Sequence, residues 1–416
     1  MSQNLQNRNI QLIGYPTNKA SSGGYCALTP YAFRRVIQPY FANKFGVEES
    51  FEIIKVKDKQ SDKKNGINNF DSVYQSVQNH ALKLSEKLWK NIVPITIGGD
   101  HSQGFSTIKA SIFVEVLKQI TSEDFKFLDN NEKQKIISLI SFNKFLETSE
   151  YLEKLISQNQ NLKQQIENII DKIHVIWVDA HGDFNTLQTT DSANFHGMAL
   201  SAACGLDCGE IEKILGSNIK AKTNNIHLMC TRDLDENEEN LLKKYNVDFE
   251  RFEMSSAQKS KIRAKGQSKR KHPRTFDIVF NELVSEIKKQ NGKIILSIDI
   301  DHLSVPETGT PLGSHEHVRK NRFNESPAGP SLNDTYNALM FLAHDADFIS
   351  FDLSEVALGF KDLSGKFKFG ITASLAGINI LASLIGGDEA QKYIFKELKK
   401  AGSLKKKLQE VAAQFI

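Results

Sequence analysis

The sequence of 416 residues holds four cysteines, Cys26, Cys204, Cys208 and Cys230, too few and too irregularly spaced for a disulfide framework. Reduced thiols in a reducing compartment are the expectation. No second Cys or His pair stands at finger spacing from Cys204 and Cys208, which argues against structural zinc. Long apolar runs are also missing. None approaches the ~18 residues that span a bilayer, and the polar start, Met1 to Asn9, has no apolar signal core. A soluble, cytoplasmic protein with no membrane partner is expected. An excess of one charge sign is missing too: 53 Lys and Arg against 50 Asp and Glu leave a net charge of +3, which gives no whole-chain case for nucleic acid. No repeat with a period of about 20–50 residues is visible.

What the chain does have is apolar content of 40%, including 26 Phe, enough to build a sizeable core. Its length suits one large α/β domain with insertions, or two domains. Apolar runs at Ile10–Gly14, Ile92–Ile97, Ile173–Val178, Ile226–Cys230, Lys293–Ile298 and Phe348–Asp352 read as strands. Helical spacing separates them, as in Phe70 to Lys90, where Val73, Val77, Ala81, Leu84 and Leu88 share a side. Strands alternating with helices predict a parallel sheet with helices on both faces.

Residues from about 58 to 69 are polar and read as a surface loop. The stretch from about 115 to 172 carries Leu and Ile at three- and four-residue steps among Lys, Glu, Asn and Gln. It reads as a helical insertion in one crossover, folded as a local hairpin because no heptad persists. A basic run, Lys259 to Arg274, marks a second insertion at about 255–275. Such runs are most simply solvated, with phosphate binding or a nuclear address as the alternatives. Residues 371–413 read as two helices, the second cationic.

Chemistry-bearing residues follow the predicted strands. Asp179, His181 and Asp183 stand at alternate positions after Val178, so an extended backbone would send all three side chains one way. His101 follows Gly98-Gly99-Asp100, Asp299 and Asp301 follow Ile298, Asp235 follows the fourth run, and Glu355 the last. Sites in parallel sheets form beyond the carboxyl ends of the strands. Four clustered aspartates would repel one another, and two divalent cations would cancel their charge. With His101 and His181 this is the inventory of a binuclear site, in which ions about 3.5–4 Å apart activate water at neutral pH. Oxygen-rich donors plus two imidazoles favour Mn²⁺.

These segments resemble the ureohydrolases, the arginase and agmatinase family. The matching motifs are Gly98-Gly99-Asp100-His101-Ser102, Asp179-Ala180-His181-Gly182-Asp183, Ser297-Ile298-Asp299-Ile300-Asp301 and Ser350-Phe351-Asp352-Leu353-Ser354-Glu355. The resemblance implies a three-layer α/β fold, a single domain over residues 1–416, two Mn²⁺ per subunit and hydrolysis of a guanidino carbon with release of urea. It implies that Asp179 and Asp299 bridge the metals, that His101 and Asp183 complete one ion, and that His181 and Asp301 complete the other. His196 would shuttle protons and Glu355 would orient the guanidinium group, with Asp100 as support rather than ligand. Asn185, Thr190, Ser192 and Asn194 sit where arginine-hydrolysing members gather hydrogen bonds to the substrate α-carboxylate. Asp235 would read the α-amino group, and Thr310 would lie near the site. The implied substrate is L-arginine, giving L-ornithine and urea, in a homotrimer.

Other readings are agmatinase, formimidoylglutamase, or a non-catalytic member acting through its basic insertion. The chain departs from the family pattern at His302-Leu303-Ser304-Val305, at Leu312 to His317 and at Tyr25 to Thr29. His315 and His317 are expected as exposed loop residues rather than an added metal pair.

Overall fold

The computed structural model describes residues 9–21, 26–45, 47–56, 62–249, 275–303, 329–357, 359–361, 367–369 and 371–400. The basic run up to Arg274, Tyr25, Thr310, His315, His317 and all residues after Lys400 therefore lie outside the described residues. In chain order the strands are β1 (Asn9–Tyr15), β2 (Glu52–Ile53), β3 (Lys63–Lys64), β4 (Ile67–Asn68), β5 (Ile92–Gly98), β6 (Ile173–Val178), β7 (Ile226–Met229), β8 (Lys293–Asp299), β9 (Phe348–Ser354), β10 (Gly359–Lys361) and β11 (Phe367–Phe369). Seven of them form one sheet in the order β2-β1-β5-β9-β8-β6-β7. Every pairing within it is parallel.

The apolar runs explain this arrangement. A strand covered on both faces can be apolar at every position, and each residue of β6 and β7 is buried. Alternate residues then feed opposite cores: Val175 and Trp177 join one cluster, and Ile176 and Val178 the other. Helices Phe70–Trp89 and Ser102–Ile120 cover the first face, and Phe276–Lys289 and Leu332–Asp345 the second. The result is a three-layer α-β-α fold.

The 115–172 stretch continues the helix Ser102–Ile120 and adds Asn130–Ser141, Phe145–Gln158 and Gln160–Ile170. Ile136, Ile140, Leu152 and Ile166 are buried in the same cluster as Phe113, so these helices pack onto the first face. Asp129 and Glu132 form a reciprocal capping box at the first of them.

The 58–69 stretch corrects the loop reading. Among its described residues, β3 and β4 pair antiparallel, Lys63 with Asn68 and Lys64 with Ile67. Asn65 and Gly66 make the turn at φ 53° and 78°, the left-handed pair that tight hairpins require. Polarity concealed this signal, because Ile67 is the lone apolar residue of the hairpin and is fully buried.

Strand register also lays down a polar row inside the sheet. Thr96 of β5 faces Asp352 of β9, Asp352 faces Ser297 of β8, and Ser297 faces Trp177 of β6. The row lies just below the carboxyl ends of the four central strands. No helix among the described residues is long and apolar enough to cross a membrane.

Candidate metal centre

Adjacent strands β5, β9, β8, β6 and β7 deliver His101, Glu355, Asp299 with Asp301, Asp179 with His181 and Asp183, and Asp235 in turn. Local backbone explains the placements. Gly99 lies so close to β1 that a Cβ there would stand 2.0 Å from the Thr17 carbonyl oxygen, which only glycine tolerates. Its N–H donates to Tyr15 O at 2.7 Å, and its carbonyl accepts Glu355 N at 2.9 Å. Thus the glycine turn after β5 fixes the acid after β9. Glu355 itself has φ 56° and Asp183 φ 48°, left-handed values that cost a non-glycine residue roughly 1–3 kcal/mol unless the surroundings hold them.

The alternate-position reading of Asp179, His181 and Asp183 needs correction. Strand β6 stops at Val178 and the chain bends at Ala180 and His181, so the three side chains do not leave in one direction. Asp179 and Asp183 turn toward His101, whereas His181 turns toward Asp301. His101 Nδ1 stands 2.8 Å from Asp179 Oδ2, 2.9 Å from Asp183 Oδ2 and 3.5 Å from Asp299 Oδ2. His181 Nδ1 stands 3.2 Å from Asp301 Oδ2 and 3.4 Å from Asp179 Oδ1. Two groups able to hold a cation result, His101–Asp179–Asp183 and Asp179–His181–Asp301, with Asp179 common to both.

The donor set fits metal. His101 Nε2 lies 2.9 Å from Ser297 Oγ, which donates to Asp352 Oδ1 at 2.8 Å. Because Ser297 spends its proton on Asp352, its oxygen accepts from His101 Nε2–H. A neutral His101 then aims the Nδ1 lone pair into three carboxylates. One proton can serve one of those oxygens, while a divalent cation serves all of them. Two unit charges 4 Å apart at an effective dielectric near 20 interact by about 4 kcal/mol, so four uncompensated carboxylates would be costly. Among the described residues, the buried Asp183 Oδ2 and Glu355 Oε1 also have no geometrically sound hydrogen bond.

The pKa directions tell the same story. Burial, reinforced by Asp179, pushes the Asp183 carboxyl up to about 6. Burial and the neighbouring Asp301 and Asp179 raise Asp299 as well. Burial opposes charge on His101, yet Asp179 and Asp183 outweigh it and hold the imidazole well above its usual value. In Asp179, burial is outweighed by His101 and His181, which keep it ionised. A pocket that draws this strongly on a proton draws on any cation.

Beside the carboxylates, His196 Nδ1 and Glu355 Oε1 are 3.5 Å apart. Burial opposes both charges, but each partner favours the other's ionised form. His196 N donates to Ala20 O at 3.1 Å, and Ala20 N donates to Asp100 Oδ2 at 2.9 Å. Asp100 therefore anchors the His196 segment and stands apart from the cation groups. Phe105 meets Phe195 edge to face at 5.7 Å and steadies the same turn.

The polar run after Asp183 is held largely by its own bonds. Asn185 Nδ2 donates to Asp235 Oδ2 at 2.8 Å, and Asn185 Oδ1 accepts from Thr189 Oγ1 at 2.8 Å. Asp235 Oδ1 caps the helix Glu236–Lys244 by accepting Glu238 N at 2.8 Å. Thr190 Oγ1 accepts Ala193 N at 3.1 Å, and Ser192 Oγ accepts Asn194 N at 3.2 Å. Those two bonds use lone pairs and leave both hydroxyl protons available. Thr310 lies outside the described residues.

Several contributors escaped the sequence reading. Trp177 stacks on His101 at 4.0 Å and donates to Asp179 Oδ2 at 3.3 Å. Ser297 and Asp352 support His101 from below, and their signal was a polar residue inside a strand apolar on both faces. Buried Glu238 accepts Phe184 N at 2.8 Å, and burial pushes its carboxyl up to about 8. The Arg232 guanidinium donates to the carbonyls of Cys230, Asp301, His302 and Leu303. It thereby ties the segment after β7 to the one after β8.

Residues 159–385 match the model of the arginase family. An arginase of Brevibacillus brevis is 32% identical over 146 residues, 34% of this chain and 44% of that protein's length. The arginase structure of Bacillus caldovelox superposes with a TM-score of 0.60 at 20% identity, covering 91% of this chain and 98% of that one. A formimidoylglutamase structure of Bacillus subtilis gives a TM-score of 0.51 at 16% identity, covering 93% and 92%. Those structural likenesses speak for the fold.

Proposed function

The chain belongs to the arginase family, and from that premise we propose that it hydrolyses L-arginine to L-ornithine and urea with two manganese ions. The observation that carries the reading is the pair of cation-binding groups sharing Asp179, set beside His196 and Glu355. His101 and Asp183 would hold one ion and His181 and Asp301 the other, with Asp179 and Asp299 shared. When bound, the ions supply charge that activates water for attack on an amidino carbon. Glu355, ionised beside His196, offers a carboxylate to the guanidinium nitrogens and orients the group by charge-assisted bonds. His196 is positioned to move a proton between the leaving amine and solvent.

The hydroxyls of Thr190 and Ser192 and the carboxamide of Asn194 present neutral donors suited to an α-carboxylate, and Asp235 presents charge suited to an α-amino group. Asn185 contributes mainly by holding Asp235, since both ends of its carboxamide are engaged. In this reading the chain forms a single domain and acts as a trimer in the cytoplasm. Urea release from L-arginine, agmatine and 4-guanidinobutyrate, with and without Mn²⁺, tests the reading. Urea from agmatine and none from L-arginine overturns it. Formimidoylglutamase is the second reading, and formamide release from formimidoylglutamate would establish it.

A further inference from the structure

The β3–β4 hairpin reaches across to the polar run that follows Asp183. Asn68 N donates to Ala193 O at 2.9 Å, and its side chain Nδ2 donates to Ser192 O at 2.9 Å and to Asn194 Oδ1 at 3.0 Å. These contacts join residues more than 120 positions apart in sequence. Ala193 has φ 58°, a conformation that persists in a non-glycine residue only where neighbours impose it. The hairpin is itself anchored by the fully buried Ile67 and by Asn69 Nδ2, which donates to Lys19 O at 3.0 Å.

The geometry removes a common ambiguity. Carboxamide oxygen and nitrogen are assigned from their hydrogen bonds. Ser192 O is a backbone carbonyl and only accepts, so the Asn68 atom facing it is the NH₂. That same NH₂ faces Asn194, so the Asn194 atom toward it is the oxygen. Asn194 must then turn its own NH₂ away from the hairpin, as a donor. It is 7% exposed, too buried for solvent to reorient it freely.

We propose that Asn68 is a positioning residue for substrate specificity: it fixes the Ser192–Asn194 segment so that Asn194 presents donors, and never its oxygen, to a carboxylate-bearing head group. This rests on the reading of that run as the head-group subsite. Among the described residues the Asn68 side chain hydrogen-bonds Ser192 and Asn194 and none of the cation-binding residues, so the chemical step is left alone. Its substitution changes which head group is held and how tightly.

The test uses Mn²⁺-loaded protein and Asn68→Ala, Asn68→Asp and Asn194→Ala variants. Asn68→Ala keeps the backbone bond to Ala193, and thermal midpoints and metal content check that each variant folds. KM for L-arginine should rise about tenfold in Asn68→Ala, the scale of one or two lost hydrogen bonds. It should rise further in Asn68→Asp, whose carboxylate faces the Ser192 carbonyl. The kcat for L-arginine and kcat/KM for agmatine, which lacks the carboxylate, should stay within about twofold. Adding Asn68→Ala to Asn194→Ala should raise KM by less than it does in the parent, because the two share a contact.

Equal losses on L-arginine and agmatine, or an unchanged KM for L-arginine, overturn the inference. The parent protein tests the underlying reading separately. Preference for L-ornithine over putrescine, measured by calorimetric binding, sustains it without turnover, and preference for putrescine overturns both.

Discussion

The two halves of the metal centre differ in their exposure. His101, Asp179 and Asp183 have side chains 1%, 1% and 7% exposed. His181 and Asp301, on the other side of Asp179, are 30% and 13% exposed. The inner half is stacked on Trp177 and backed by the Ser297–Asp352 pair, whereas the outer half is braced by backbone groups and by Arg232. Identical donor types therefore sit in unlike surroundings. The inner half has ligands already aimed and water excluded, and the outer half faces solvent. An ion in the first should be held tightly and leave slowly, and one in the second should exchange.

The largest expected effect removes the distinction. Asp179→Asn takes a carboxylate from both halves, so metal binding at both cation groups should be lost and kcat/KM should fall by roughly a thousandfold, since water activation depends on bound metal. Metal analysis after gel filtration checks this. Retention of two ions would remove Asp179 from its shared role. Next, Asp301→Ala should leave about one ion, and dialysis against a chelator should strip the parent in two phases. Equal rates for both ions would erase the contrast between the halves.

Ser297→Ala sharpens it from the inner side. Losing the acceptor that orients His101 should weaken the slowly exchanging ion by about 10–100-fold and leave the fast one unchanged.

The smallest effect is on metal-free stability. Burial raises Asp183, Asp352 and Asp100 each to about 6 from 3.8. Their folded values lie above their unfolded ones, so the stability they contribute is present in acid and lost as pH rises through about 6. Measured against an Asp352→Asn variant, the metal-free parent should lose thermal midpoint between pH 4 and pH 7, the window set by the raised Asp352 carboxyl. A difference between parent and variant that stays constant over the same range would place Asp352 in less desolvated surroundings.

The contrast also explains what was legible beforehand. Apolar runs ending in Asp, His or Glu announced the sheet and the strand ends, because burial on both faces leaves an unbroken apolar signature. The ligands' division between halves was legible only through the family resemblance and not from spacing, since it depends on the bend at Ala180 and the left-handed Asp183. Ser297 and Asp352 were hidden because their partner, His101, is 196 residues from Ser297 in the chain. Asn65-Gly66 was a readable turn signal, but the surrounding lysines and asparagines resembled a solvated loop.

The sheet order carries a kinetic consequence. Strand β9, the last of the seven in the chain, lies between β5 and β8 near the middle. Until Phe348–Ser354 emerges from the ribosome, the β2-β1-β5 block and the β8-β6-β7 block each present an unpaired central edge. Parallel pairings between distant segments form slowly, and open apolar edges invite association with other chains. Folding should therefore wait on one late strand, and a chain cut before it should aggregate rather than assemble half a molecule. The same strand delivers Glu355, so closure of the sheet and completion of the catalytic rim are one event.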